Sequence, residues 1–455
     1  MWVYKDNIKK NYVIHFFIYL LLINFIFFIS LKIAKNESKF SPYSPEIKNI
    51  IIKDGKFAKI GIISDFQLDK NNNDIEYKYY ANNLYQALKF FKKNKIDILI
   101  IPGDTTNNGQ IINYLYFKEI FYSVYNNIQK PNIISIMGNN DYRDKKLSIL
   151  ENQNKFYKYM NSYPYSHYII NNYNFIFWSN DNQKNTEKGV QDFSWIKSTL
   201  EEARKRIYKK GDPIFVITHM PPLHTIYGSE LVHKGIFEIL KNYPEVICIS
   251  GHSHHSLKNK KSIWQGEFTA VNTQSISYIS IDKIFQNIQD VYLDSINNHT
   301  MGLLAYLNED SVTFDRIDFF TEEAMEKSWK INFPIIKSNF IYNFEKRNNN
   351  IKPSFTDNNE IKIEKVKNKN FILFNAASHE DYVYYYKIIL NKKHKKKNNI
   401  ELYYYSDYYK NKIYRNETLK YELPNDIKSG KYDVEIYAYD SFDNISKPKI
   451  GVIDI

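Results

Sequence analysis

Five short polar segments, each set at the end of an apolar run, constrain this chain more than any other feature. They are Asp65-Phe66-Gln67, Gly103-Asp104, Gly138-Asn139-Asn140-Asp141, His219 and Gly251-His252-Ser253-His254. The runs before them cover 59–64, 98–102, 133–137, 214–218 and 246–250. Unbroken β-branched runs of this length read as strands buried on both faces. Amphipathic text lies between them. Over 191–209, Phe193, Ile196, Leu200, Ala203 and Ile207 recur at spacings of three and four, which predicts a helix. Strand–helix alternation makes an α/β domain, whose ligands gather beyond the strand C-termini. Carboxylates, amides and imidazoles are thereby delivered to one sheet edge. That set suits two divalent cations sharing a carboxylate, an arrangement that drives in-line attack on phosphorus.

The donor types narrow the metal. Aspartates and an asparagine oxygen suit Mn²⁺ or Fe, whereas three imidazoles pull toward Fe or Zn. The chain has a single cysteine, Cys248, so a thiolate zinc site is excluded.

Residues 57–320 resemble the calcineurin-like metallophosphoesterases, which carry the ordered set Asp-x-His, Gly-Asp, Gly-Asn-His-Asp, a lone His and Gly-His-x-His. The likeness extends to Gln191-Asp192-Phe193-Ser194-Trp195-Ile196 and to His219-Met220-Pro221-Pro222. The text Trp264-Gln265-Gly266-Glu267-Phe268-Thr269 is similar to that of exported bacterial members. The resemblance implies a four-layer α/β/β/α sandwich. It places Asp65, Gln67, Asp104 and His254 on a first metal, and Asp104, Asn139, His219 and His252 on a second. Asn140 and Asp141 fall in the family's catalytic loop. The implied reaction is hydrolysis of a phosphodiester or phosphomonoester by a hydroxide bridging two divalent ions, Mn, Fe or Zn.

Two positions depart from that pattern. Gln67 stands where the family has a histidine ligand, and an amide oxygen is a weaker donor. Asn140 stands where a histidine serves the leaving group, and asparagine transfers no proton near neutral pH. Good leaving groups are therefore the expected substrates. His224, His233 and His255 match no motif position and read as rim or surface residues, although His224 or His255 could replace the missing acid. The contrasting expectation is a binding or adhesion module that keeps the metal site but has lost catalysis.

The rest of the chain is organised around this centre. Over 12–31 an apolar stretch is broken only by His15, Asn24 and Ser30. At 1.5 Å per residue it reaches about 30 Å, enough to cross a hydrocarbon core. An uncleaved membrane anchor is favoured over a removed signal, because bulky residues crowd the candidate cleavage sites. Residues 1–40 are thus read as a cytoplasmic tip and anchor, and 41–345 as the enzyme. The enzyme is expected outside the cytoplasm, at the cell surface or in the periplasm, or secreted if the segment is cleaved. The segments 267–271, 302–307 and 312–319 are expected to complete the second sheet. From 354 to 455 short alternating segments such as Tyr432-Asp433-Val434-Glu435-Ile436-Tyr437-Ala438 imply a small β-sandwich. It resembles a fibronectin type III or immunoglobulin-like module, whose role is a spacer, a cell-surface or polysaccharide contact, or a brace packed on the enzyme. The formal net charge of +12 is weak evidence for nucleic acid, since it is scattered and partly held in 392–397. A nucleic-acid partner is not expected.

Overall fold

The computed structural model describes residues 40–455, apart from 53–56, 127–129, 180–192, 208, 231–233, 326, 349, 357–359, 393–398 and 413–414. The apolar stretch 12–31, Gln191 and Asp192, His233 and most of the lysine run at 392–397 lie outside the described residues. Among the described residues no helix is long and apolar enough to cross a membrane.

Two seven-stranded sheets form the centre of the larger part. The first runs β1(Lys48–Ile50), β5(Tyr165–Ile170), β6(Tyr173–Trp178), β7(Ile214–Thr218), β8(Val246–Ser250), β10(Thr269–Asn272), β9(Ile263–Gln265). The second runs β13(Glu323–Ala324), β12(Ser311–Asp318), β11(Met301–Leu307), β2(Ala58–Ile62), β3(Ile98–Ile101), β4(Asn132–Ser135), with β14(Trp329–Asn332) also on β12. The continuous apolar runs are explained by burial on both faces. Ile60, Ile62, Ile98 and Ile100 point between the sheets, against Phe175, Phe215, Ile217 and Ile247. Ile63, Leu99 and Ile101 point outward beneath helices α1(Ile75–Asn94), α2(Ile111–Val124) and α3(Ile149–Met160). On the far side, Ile176, Val216 and Cys248 pack under α4(Ser194–Lys205) and α5(Lys234–Leu240). Four layers, α/β/β/α, follow from these three apolar interfaces.

Helix starts are legible where side chains cap them. Ser148 and Glu151 form a reciprocal capping box at the head of α3. The helix read over 191–209 is described as Ser194–Lys205, and its Ile196, Leu200 and Ala203 are fully buried.

One expectation is corrected. The segment 267–271 was expected in the second sheet, but β10 lies parallel to β8 in the first. After β8 the chain turns through the tight β9–β10 hairpin, which returns it to the open edge beside β8. The segments 302–307 and 312–319 do enter the second sheet, as β11, paired to β2, and β12, paired to β11.

The C-terminal part is two antiparallel sheets. One holds β15(Lys362–Val366), β16(Lys369–Asn375) and β19(Thr418–Glu422); the other holds β18(Asn399–Tyr405), β17(Tyr385–Lys392), β20(Lys431–Tyr439) and β21(Lys449–Asp454). Alternation works as a half-buried strand requires: Tyr432, Val434, Ile436 and Ala438 of β20 all face the core between the sheets.

This sandwich is not held at a distance. Residues 44–455 form one compact unit. Phe285 bridges to Tyr403, and Gln286 N donates to Tyr403 O at 2.8 Å. Asn287, at the head of α6(Ile288–Asn298), donates to Tyr405 O and accepts from Tyr405 N, each at 2.9 Å. Ile279, Phe285, Val291, Tyr384, Tyr405 and Tyr408 close a shared apolar cluster at the joint.

Candidate metal centre

Each donor is aimed by the strand it follows. Asp65 follows β2, Asp104 follows β3, the loop 138–141 follows β4, His219 follows β7, and His252 and His254 follow β8. Five of these positions have left-handed backbone: φ is 57° at Asp65, 49° at Gln67, 53° at Asp104, 65° at His252 and 56° at His254. Such a conformation costs about 1–3 kcal/mol at a non-glycine residue and persists only where its surroundings impose it. Here it turns consecutive side chains back to one point. Two glycines make the room. A Cβ at Gly138 would collide with the Asp104 carboxylate, and one at Gly251 would collide with that of Asp65.

The result is a tight, buried donor cluster. Ligand atoms of Asp65, Asp104 and His219 lie within 4.8 Å of one another. His254 Nε2 is 3.1 Å from Asp65 Oδ1. His219 Nε2 lies 3.0 Å from Asn139 Oδ1, 3.3 Å from His252 Nδ1 and 3.4 Å from Asp104 Oδ2. Gln67 Nε2 is 3.4 Å from His254 Nε2, and a half-turn of the amide presents its oxygen at that place. The arrangement brings Asp65, Gln67, Asp104, Asn139, His219, His252 and His254 to one place.

The chemistry of this convergence fits cations. His219 Nδ1 lies 2.8 Å from Pro102 O and donates to it, so in the neutral ring Nε2 carries a lone pair. That lone pair faces an amide oxygen, a carboxylate oxygen and another imidazole nitrogen. Acceptors held this close repel unless a proton or a cation lies among them. Burial lowers the His219 pKa, but Asp104 and Asp65 outweigh it and raise the ring to about 10. Burial and then His219 press His252 down to about 4, which leaves it neutral and able to ligate. Burial raises Asp65, yet His254 and His219 bring it to about 2, so it is ionised. The cluster is built to hold positive charge, and its mixed oxygen and nitrogen donors suit divalent metals.

Asp141 has a different place from the one expected. Grouped with the catalytic residues on sequence grounds, its carboxylate instead faces the loops that carry the donors. It accepts from Gly138 N, Thr106 N, Thr106 Oγ1, Thr105 N and Tyr114 Oη at 2.9–3.3 Å. It is a positioning residue, bracing the β3 loop against the β4 loop. Asn140 is also buried: its N–H donates to Asp104 Oδ1 at 2.8 Å, and its Oδ1 accepts from Asn139 Nδ2. Neither candidate replacement acid faces the centre. His255 is buried rather than at the rim, with its ring against Tyr227 at 4.4 Å, and His224 is exposed elsewhere. Neither lines the cavity over the donors.

That cavity, of about 510 Å³, adds residues that the motifs did not mark. Arg143 stands at its mouth, exposed and with no carboxylate paired to it among the described residues. Tyr77, Tyr80, Tyr278 and Tyr292 line one wall, and the Tyr278 ring lies 4.5 Å from that of His254. In the sequence nothing separates Arg143 from Lys145 and Lys146, which also follow the Gly138–Asp141 loop. Nothing in the sequence ties the tyrosines to the site. Glu76 also lines the cavity, whereas no residue of 224–230 does.

Comparison with known proteins agrees with this geometry. Residues 58–256 match the family model of the calcineurin-like phosphoesterases, so this stretch is a calcineurin-like phosphoesterase domain. The match supports metal-dependent hydrolysis of phosphoesters. A protein of Ruthia magnifica, called a probable cyclic nucleotide phosphodiesterase, is 25% identical over 234 residues, covering 50% of this chain and 86% of its own. Among solved structures, a dimetal phosphatase of Danio rerio aligns at a TM-score of 0.40 and 12% identity, over 61% of this chain and 99% of its own. Purple acid phosphatase PPD1 of yellow lupin aligns at a TM-score of 0.42 and 13% identity, over 61% of this chain and 54% of its own.

Proposed function

We propose that this chain hydrolyses a phosphate ester at a two-metal centre, with Asp65, Gln67, Asp104 and His254 around one ion and Asp104, Asn139, His219 and His252 around the other. The observation that carries the reading is the convergence of buried oxygen and nitrogen donors on His219 Nε2, which a cation among them relieves. Two divalent cations there would supply a nucleophile from water at neutral pH and neutralise charge on the phosphoryl oxygens.

The chain's own residues do the rest. Asp104, which we assign to both ions, is fixed by the Asn140 N–H. Arg143 draws an anionic ester to the mouth. Asn140 offers no proton to a departing alkoxide, so the leaving group must be stable as an anion. The tyrosine wall suits an aromatic group on the ester, and the name of the Ruthia relative directs attention to cyclic nucleotides. We further read the enzyme as lying outside the cytoplasm, tethered by the apolar stretch 12–31, with its tail a fibronectin type III-like module. Protease added to intact cells should then remove it.

The deciding experiment is hydrolysis of bis(p-nitrophenyl) phosphate by the fragment from residue 41, with added Mn²⁺, beside an alkyl analogue and 3′,5′-cyclic AMP. Aryl turnover should exceed alkyl turnover, and Asp104→Asn should abolish both. Metal uptake without any turnover would instead favour a binding module. Equal aryl and alkyl rates would remove the leaving-group argument.

A further inference from the structure

A second cavity, of about 670 Å³, lies where the phosphoesterase part meets the C-terminal sandwich. It is separate from the metal centre, and no residue lines both. Its lining contains seven lysines and arginines but only three carboxylates, Glu323, Glu380 and Asp381. Asp381 is already paired with Lys260 at 2.6 Å. The cations come from both sides of the joint: Lys258, Arg316 and Arg347 from one, Lys412 and Arg415 from the other.

Two of these cations, Lys258 and Arg316, are buried and Arg347 is half-buried, and none of the three has a carboxylate within ion-pair distance among the described residues. Lys258 is 2% exposed, and its Nζ donates to the neutral Asn411 Oδ1 at 3.0 Å. Arg316 is 7% exposed, and its Nη1 and Nη2 donate to the carbonyls of Leu257 and Lys327. Its Nε is buried with no acceptor among the described residues. Arg347 likewise donates to the carbonyls of Ile263 and Lys260. Carbonyls satisfy hydrogen bonds but leave the net charge of the group uncompensated, and a buried uncompensated charge is expensive. Burial pushes Lys258 down to about 7, with Asp318 opposing, and both arginines down to about 10.

Such a wall makes sense if something negative completes it. We propose that this cavity binds a small polyanion bearing two or more phosphate or sulfate groups, held between Lys258, Arg316 and Arg347 on the phosphoesterase side and Arg415 on the sandwich. A volume of this size accommodates a molecule larger than a single phosphate. Guanidinium groups match such oxyanions by paired hydrogen bonds. Because the lining belongs to both parts, the ligand would also tie the sandwich to the enzyme.

The test is isothermal titration of the full chain carrying Asp104→Asn, which prevents turnover, with sodium tripolyphosphate and separately with sucrose octasulfate. Saturable binding of at least one probe is expected. It should weaken at least tenfold in Lys258→Met and in Arg415→Gln, and hold when Asp65→Ala is added. The exposed Lys327→Ser variant should weaken it about threefold and guards against misfolding of the buried variants. Binding of both probes would make the site a general polyanion site, and of tripolyphosphate alone a phosphate site; either supports the proposal. Binding that is absent for both probes, or unchanged in all three cavity variants, overturns it.

Discussion

At the scale of single residues, the site works by backbone placement as much as by side-chain identity. The motif aspartates and histidines were legible because acids, amides and imidazoles at strand ends have few other uses in combination. Their left-handed backbone was not legible, since Asp65, Gln67, Asp104, His252 and His254 carry no glycine-like signature. The role of Asp141 was hidden for a similar reason. In sequence it stands beside Asn139 and Asn140, but in space its carboxylate turns toward Thr105, Thr106 and Tyr114. Asp141→Ala would leave five donors without an acceptor. The loss expected is about 3–5 kcal/mol of stability, read as a lower urea midpoint together with lost metal uptake. Gly251→Ala should leave the fold intact but displace the Asp65 carboxylate. Metal affinity measured by competition with a chelator dye should fall by about 10–100-fold, as for other displaced ligand geometry.

At the scale of elements, strand ends deliver the chemistry and the tyrosine-rich joint fixes the tail. The strands were readable because burial on both faces leaves an unbroken apolar run. The neighbours of each strand were less readable: 267–271 looks like any half-buried strand, and only the hairpin at 263–272 shows which sheet it joins. Phe285 is the central ring of the joint, 5.3 Å from Tyr405 and 5.6 Å from Tyr385. Phe285→Ala should remove about 3–5 kcal/mol. In differential scanning calorimetry the single transition should split in two, as the sandwich comes free of the phosphoesterase part.

At the scale of the whole molecule, the two parts share buried charge. Lys258 has a folded pKa of about 7 against an ordinary value of 10.5, with burial as the main cause and Asp318 opposing it. Below pH 7 both states hold the proton, and the full penalty of burying the charge is present. Between about pH 7 and 10.5 the unfolded chain binds more protons than the folded one, so this group adds stability as pH rises. Lys258→Met removes the penalty. Its advantage over the native chain in urea midpoint should be largest near pH 7 and shrink steadily toward pH 10.

What the sequence determined by itself was local: which runs are strands, which side chains follow them, and that oxygen and nitrogen donors outnumber every alternative at those ends. Those features depend on burial and on residue chemistry, which are written position by position. Only the tertiary structure decided that seven donor residues, His219 among them, come to one place, that the Asp141 carboxylate turns to Thr105, Thr106 and Tyr114, and that the sandwich is packed on the phosphoesterase part across a cationic cavity. Each of these depends on residues far apart in the chain, Asp65 with His254 or Lys258 with Asn411, whose proximity follows from sheet order and packing and leaves no periodic trace in the sequence.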